Sequence, residues 1–297
     1  MGAFQAFLRA TVFRQLSVSE SVATDRSTLR TNGGPQMSKP SEYLMTEKVV
    51  AMIERANPSL HLLRLFHACY AYVDRDRLLH VGIVAMTGKP PCKALCADLA
   101  DISGSPSAKS TAWIKDVVSS HRPNTLFSHL ALEPCEKVLS FKFCATLGKA
   151  ILRNKTIPFA MVDGDEIATI SSAAEALFYT RAKMVAGADR PFFYIPGIDP
   201  RSAPWSHDRK KSWLRVAARV GKRLGQHYLV LPERDAMSRE IVRVRIKVVA
   251  AHSRWSPECL FPRRCNASVA IVHDGEYRSL TKAELLSRRC WTRVIGP

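Results

Sequence analysis

Several catalytic constellations are missing from this chain. No two of its nine histidines stand two positions apart, so no His-x-His pair can hold a nicking metal beside a tyrosine nucleophile. No Gly-x-Ser-x-Gly elbow occurs. Gly82 to Lys89 is like a phosphate loop, but its spacing is off by one, and Pro90 stands where Ser or Thr would hold magnesium. Asp163 and Asp165 flank a glycine, and a turn-and-cap role accounts for both. None of the eight cysteines forms a Cys-x-x-Cys pair, and Cys92/Cys96 and Cys259/Cys265 lack histidines at zinc spacing. We expect small thiols in a reducing compartment, no metal, no cofactor and no enzymatic activity. No run of 18 apolar residues exists, so no transmembrane helix is expected. Acids are scarce: 26 Asp and Glu against 44 Lys and Arg leave a net charge of +18. Such an excess favours a polyanionic partner, either nucleic acid or an acidic membrane surface, and of the two we expect nucleic acid and no membrane. The 46% apolar content of 297 residues suffices for real cores in about two domains.

The positive charge is concentrated in Asp208 to Leu224, DRKKSWLRVAARVGKRL. Helical spacing places Trp213, Val216, Ala217, Val220 and Leu224 on one apolar stripe. Lys211, Arg215, Arg219 and Arg223 recur every four residues on another face, and Arg209, Lys210 and Lys222 widen it. Asp208 is a candidate N-terminal cap and Gly225 a candidate C-cap, with Gly221 weakening the last turn. His227 to Leu231 reads as a strand, followed by a polar turn. Glu240 to Val249 then alternates, with Val242, Val244, Ile246 and Val248 on one side and Arg243, Arg245 and Lys247 on the other. A basic helix followed by a basic hairpin is the layout of a winged helix. The interpretation requires the helix cations to face outward and a hairpin to stand beside them.

The chain divides into a basic tail (1–41), a first module (42–143), a second module (144–250) and a C-terminal extension (251–297). The tail reads as disordered, with a mitochondrial transit segment, or a start at Met37, as the other readings. In the first module, helices are expected over Glu42–Ala56, Leu60–Tyr72, Lys93–Ile102 and Lys109–Ser120, and strands over 78–85, Leu126–Leu132 and Val138–Phe143. The last two helices would form a helix-turn-helix presenting Lys109, Ser110, Thr111 and Lys115, with Ser107 or Ser110 as cap. The second module repeats the layout: helix Ala145–Leu152, a short extended piece at 157–161, one helix from Glu166 to about Val185, and a buried strand in PFFYIPGI. The extension holds strand-like SVAIV and a short helix near Thr281–Arg289.

LSFKF (139–143), FAMVDGDEIATISSAAEALFY (159–179) and WLRVAARVGKRLGQHYLVLP (213–232) together resemble the initiator proteins of theta-replicating plasmids. The likeness covers roughly residues 60–245 and rests on element order and on apolar and basic positions. It implies an α+β fold of two tandem winged-helix domains. The recognition helix would fall on Asp208–Leu224 and the wing on Arg234–Lys247, including Arg239. It also implies binding of double-stranded DNA at origin repeats without catalysis, and partnership with host replication initiator and helicase-loading proteins. A homodimer away from the origin, a monomer on the repeats, and a place in the cytoplasm with plasmid or nucleoid DNA follow from the same resemblance. Arg209, Lys210, Lys211, Arg215 and Arg219 would mix base and phosphate contacts, while Lys222, Arg223, Arg243 and Arg245 would mainly engage phosphates. A winged-helix transcription regulator and an RNA-binding or organellar basic protein are the alternatives.

Overall fold

The computed structural model describes residues 42–75, 90–104, 111–122, 125–151, 159–188, 191–250 and 269–280. The basic tail, the expected strand at 78–85, Lys109, Ser110 and the helix near 281–289 lie outside these. The described residues form a mixed helix-and-strand fold.

The first half runs β1 (Glu42–Thr46), α1 (Glu47–Ala56), α2 (Leu60–Arg75), β2 (Cys92–Leu95), α3 (Cys96–Ile102), α4 (Ala112–Ser120), β3 (Phe127–Leu132) and β4 (Val138–Phe143). Then come α5 (Ala145–Ile151), β5 (Phe159–Asp163), α6 (Gly164–Thr169), α7 (Ala173–Val185), β6 (Phe192–Tyr194), α8 (His207–Leu224), β7 (Gln226–Arg234) and β8 (Ile241–Ala250). A hairpin of β9 (Ala270–His273) and β10 (Glu276–Ser279) follows.

Each half contains a strand, two helices, a second strand, and then a hairpin preceded by two helices (α3 and α4) in the first half and by α8 alone in the second. Each puts its second strand against the last strand of its hairpin, in the orders β2-β4-β3 and β6-β8-β7. The first strands of the halves, β1 and β5, pair with each other antiparallel from Glu42↔Asp163 to Thr46↔Phe159. The two expected modules therefore share a sheet, and one apolar core runs from Tyr43 and Phe66 through Phe178 to Val248.

Three expected helices are corrected, two by strand pairing and one by a local cap. Glu42–Ala56 is strand then helix. Tyr43 and Met45 bury against β5, and Thr46 caps α1 by accepting from Val49 N while its hydroxyl donates to Ala150 O at 2.9 Å. Lys93–Ile102 likewise splits, because Cys92–Leu95 pairs with Phe141–Val138 and the helix starts at Cys96. Glu166–Val185 breaks at Ile170, where the Ser172 hydroxyl takes the Glu175 amide and starts a new helix. Thr111, not Ser107 or Ser110, stands at the α4 N-cap, and it makes no side-chain cap bond. The extension supplies β9, which pairs with β7, and β10 beyond it. Asp274 and Gly275, both at positive φ, form the tight turn between them.

α7 is the central helix, with Ala176, Leu177, Phe178, Tyr179, Thr180 and Ala182 all buried. Phe178 packs edge-on to Phe193 at 5.0 Å and to Tyr228 at 5.1 Å, binding α7 to β6 and β7. Arg181 reaches back to Glu54 of α1 at 2.6 and 2.7 Å. α8 packs against α7 and against β7, β9 and β10 of the five-stranded sheet. Gly221 is needed at the closest point, since an added Cβ would stand 2.8 Å from Gln226 O. Gly221→Ala should destabilise the fold by about 1–3 kcal/mol in urea unfolding, although an open helix would gain up to about 1 kcal/mol from that change. An increase in stability would contradict the packing.

His67 of α2 is fully buried, and its Nδ1 pairs with the Tyr43 hydroxyl. Burial lowers its pKa to about 3, whereas the unfolded chain takes up the proton near the ordinary value of about 6.5. The unfolded state therefore binds more protons between those values, and stability falls as pH drops through that window. Wild type should lose about 2 kcal/mol more than His67→Gln between about pH 7 and 5, measured by urea unfolding. Equal losses would refute the buried neutral imidazole.

Candidate nucleic-acid interface

α8 starts at Ser206, whose hydroxyl accepts from Arg209 N, and ends at Gly225, whose N–H reaches Gly221 O from a φ of 59°. Ser206 is the cap where Asp208 was expected. Leu214, Val216, Ala217, Ala218, Val220 and Gly221 are buried, while Trp213 and Leu224 are half-buried. The helix thus buries more than the single stripe expected, because it packs on both α7 and β7.

The remaining narrow strip carries Lys211, Arg215, Arg219 and Lys222 at steps of four, four and three residues, all exposed. Lys211 and Arg215 have no bonded partner among the described residues. Lys222 runs its stem over the β9–β10 turn beside Gly275. Lys210 instead turns to β10, where its ammonium donates to Ser279 Oγ at 3.1 Å and burial lowers its pKa. Arg209 clamps the preceding loop, donating to Ala203 O and Gly197 O, each at 2.5 Å.

Two arginines meet acids. Arg219 Nε donates to Glu175 Oε2 at 2.8 Å, yet its side chain stays 47% exposed. Arg223 donates to Glu166 at 2.7 Å and to Thr169, and lies 3.8 Å from Glu175. Sequence spacing grouped Arg223 with the outer ridge. The structure turns it onto α6, because the α6 and α7 carboxylates lie beneath that edge of α8.

The hairpin β7–β8 follows directly. Val244, Ile246 and Val248 point inward as expected, while Val242 is exposed beside the turn. Lys247, expected outward, is buried. Arg243 and Arg245 both pair with Glu233 on β7. Their guanidiniums also lie 5.0 and 5.6 Å from the Tyr194 ring, and Arg245 lies 5.2 Å from Phe192. Sequence reading missed this aromatic support: PFFYIPGI holds no cation, and only the β6–β8 register brings Tyr194 opposite Arg245. Arg234 and Arg239 are exposed at the tip, Arg239 at a φ of 59°. Asp235 shapes the tip by accepting from the Met237 and Ser238 amides, and these bonds lower its pKa.

In the first half, Thr111 is half-buried and Lys115 pairs with Glu136 in the β3–β4 turn. Trp113, Ile114 and Val117 seat α4 on the core. Among the described residues no group of three or more His, Cys, Asp or Glu is placed to hold a metal ion.

No protein-family model matches the sequence. No curated protein matches it either. Among solved structures the chain is similar to one described as the crystal structure of Pi initiator protein in complex with iteron DNA. That likeness has a TM-score of 0.46 and 13% identity, over 73% of this chain and 100% of that one.

The contrast between clamped and free cations is testable. Arg209→Ala should cost roughly 1–3 kcal/mol of folding stability, since two carbonyls lose a charged donor. Arg215→Ala should stay within about 0.5 kcal/mol. Urea unfolding of both variants checks this, and equal effects would contradict the assignment.

Proposed function

We propose that this chain is a non-enzymatic protein that binds double-stranded DNA by laying the outer strip of α8 in the major groove, with the β7–β8 hairpin against the flanking backbone. The observation that carries the reading is the strip itself: Lys211, Arg215, Arg219 and Lys222 are exposed on one side of α8, and α8 packs on β7, whose hairpin exposes Arg234 and Arg239 at its tip. A helix held on a packed support, with cations on its free side, fits a groove walled by phosphates. The shared strand order of the two halves supports reading them as tandem winged-helix modules, with Thr111 and Lys115 offering a second, weaker contact through α4.

Within that class we read the protein as an initiator that recognises repeated sites at a plasmid replication origin. The resemblance of residues 139–143, 159–179 and 213–232 supports this, together with the charge of +18. Action on plasmid DNA in the cytoplasm, and recruitment of host replication initiator and helicase-loading proteins, belong to the same proposal.

Arg209 and Arg223 hold the protein together rather than the DNA in this scheme. Lys211, Arg215 and Lys222 contact phosphates. Arg215→Ala and Lys211→Ala should each weaken binding to any duplex and flatten the salt slope by about one unit. Fluorescence anisotropy across a salt series measures this, and an unchanged slope would remove the strip from the interface. Footprinting on the replicon should protect several repeats; a single protected palindrome would favour a regulator instead.

A further inference from the structure

We propose that Arg219 is the base-reading residue of α8, and that Glu175 is the positioning residue that prepares it; this rests on the duplex-binding reading above. Spacing alone does not distinguish Arg219 from Arg215. Both lie on the exposed strip, and both are arginines. Their surroundings differ.

Arg215 has no bonded partner among the described residues, so no described contact there fixes its guanidinium. Arg219 is held at one end only. Its Nε donates to Glu175 Oε2 at 2.8 Å, and that carboxylate is 2% exposed against a side chain 47% exposed. The Ser171 hydroxyl donates to the same oxygen at 2.9 Å, and the Glu175 amide is taken by Ser172 at 3.2 Å. The carboxylate is therefore fixed by its own helix start before it meets the arginine.

A guanidinium tethered through Nε keeps its two terminal amino groups, and its plane is set. Those two donors are what the O6 and N7 edge of guanine accepts in the major groove. Orientation fixed before binding removes much of the ordering cost that a mobile side chain meets on contact. Arg223 does not fit the role. Glu166, Thr169 and Glu175 surround it, and its side chain is only 23% exposed. Lys211 and Lys222 lack the fork and act as point charges. The ligand feature assigned is thus a guanine base edge, read by Arg219, with Glu175 and Ser171 behind it.

The test uses the full chain and a duplex enriched by it from a random pool, with a scrambled duplex of equal length as competitor. In wild type, discrimination between the two should fall by about tenfold to a hundredfold on Arg219→Ala. One G·C pair of the enriched duplex should weaken wild type when changed to A·T and leave Arg219→Ala indifferent. Arg219→Lys should not restore discrimination. Glu175→Gln should lower discrimination at that same pair while leaving the salt slope as in wild type. Ser171→Ala, which keeps the carboxylate but loosens it, gives the same readout should Glu175→Gln unfold. Equal loss by Arg219→Ala on enriched and scrambled duplexes would overturn the proposal. So would full discrimination in Glu175→Gln or Ser171→Ala. Failure of wild type to enrich any duplex would instead bring down the DNA-binding reading beneath it.

Discussion

The packing of α7 against α8 is the constraint on which this structure turns, and Glu175 is its centre. α7 is buried on nearly all sides, so a carboxylate there must find cations or lose a large solvation energy. It finds Arg219 and, more distantly, Arg223, both from α8. That pairing sets the rotation of α8. With Glu175 beneath one edge and β7 pressed against Gly221, one narrow strip is left to face water. A different rotation would bury Lys211 or Arg215, or leave Glu175 without a cation.

The support for that strip extends across the whole described fold. Phe178 connects α7 to β6 and β7, while Arg181 connects it to α1 in the first half. Arg64 of α2 donates to the Ala168 and Ile170 carbonyls, capping the open end of α6. Gly104, at the end of α3, comes so near α6 that a Cβ would stand 2.4 Å from Ala168 Cβ. The β1–β5 pair joins the opening strands of the halves. Together these contacts make the two halves one support for α8.

Some of this was legible in the residues. The alternation of Val244, Ile246 and Val248 marked a strand and its core-facing side, and Gly225 marked the end of α8. Val138–Phe143 was read to the residue. Two of the readings that failed share a cause. Glu42–Thr46 and Cys92–Leu95 carry helix-compatible residues, yet each lies opposite a strand distant in sequence, and pairing overrode local preference. The Ser172 cap looked like a mid-helix pair of serines until Ile170 was seen buried and extended.

The sequence by itself determined that a dense positive helix exists, that a basic hairpin follows it, and that enough apolar surface is present to hold both on a core. These depend on composition and on periods of two and 3.6, which are local. Only the tertiary structure decided which cations are free. Arg209, Arg219 and Arg223 are chemically alike and lie on one helix, but one clamps a loop, one is braced with its fork outward, and one is folded onto α6. The acids and carbonyls that sort them come from Gly197, Ala203, Glu166 and Glu175. No local pattern places those groups beside α8, because their positions follow from how helices and sheet close on a common core.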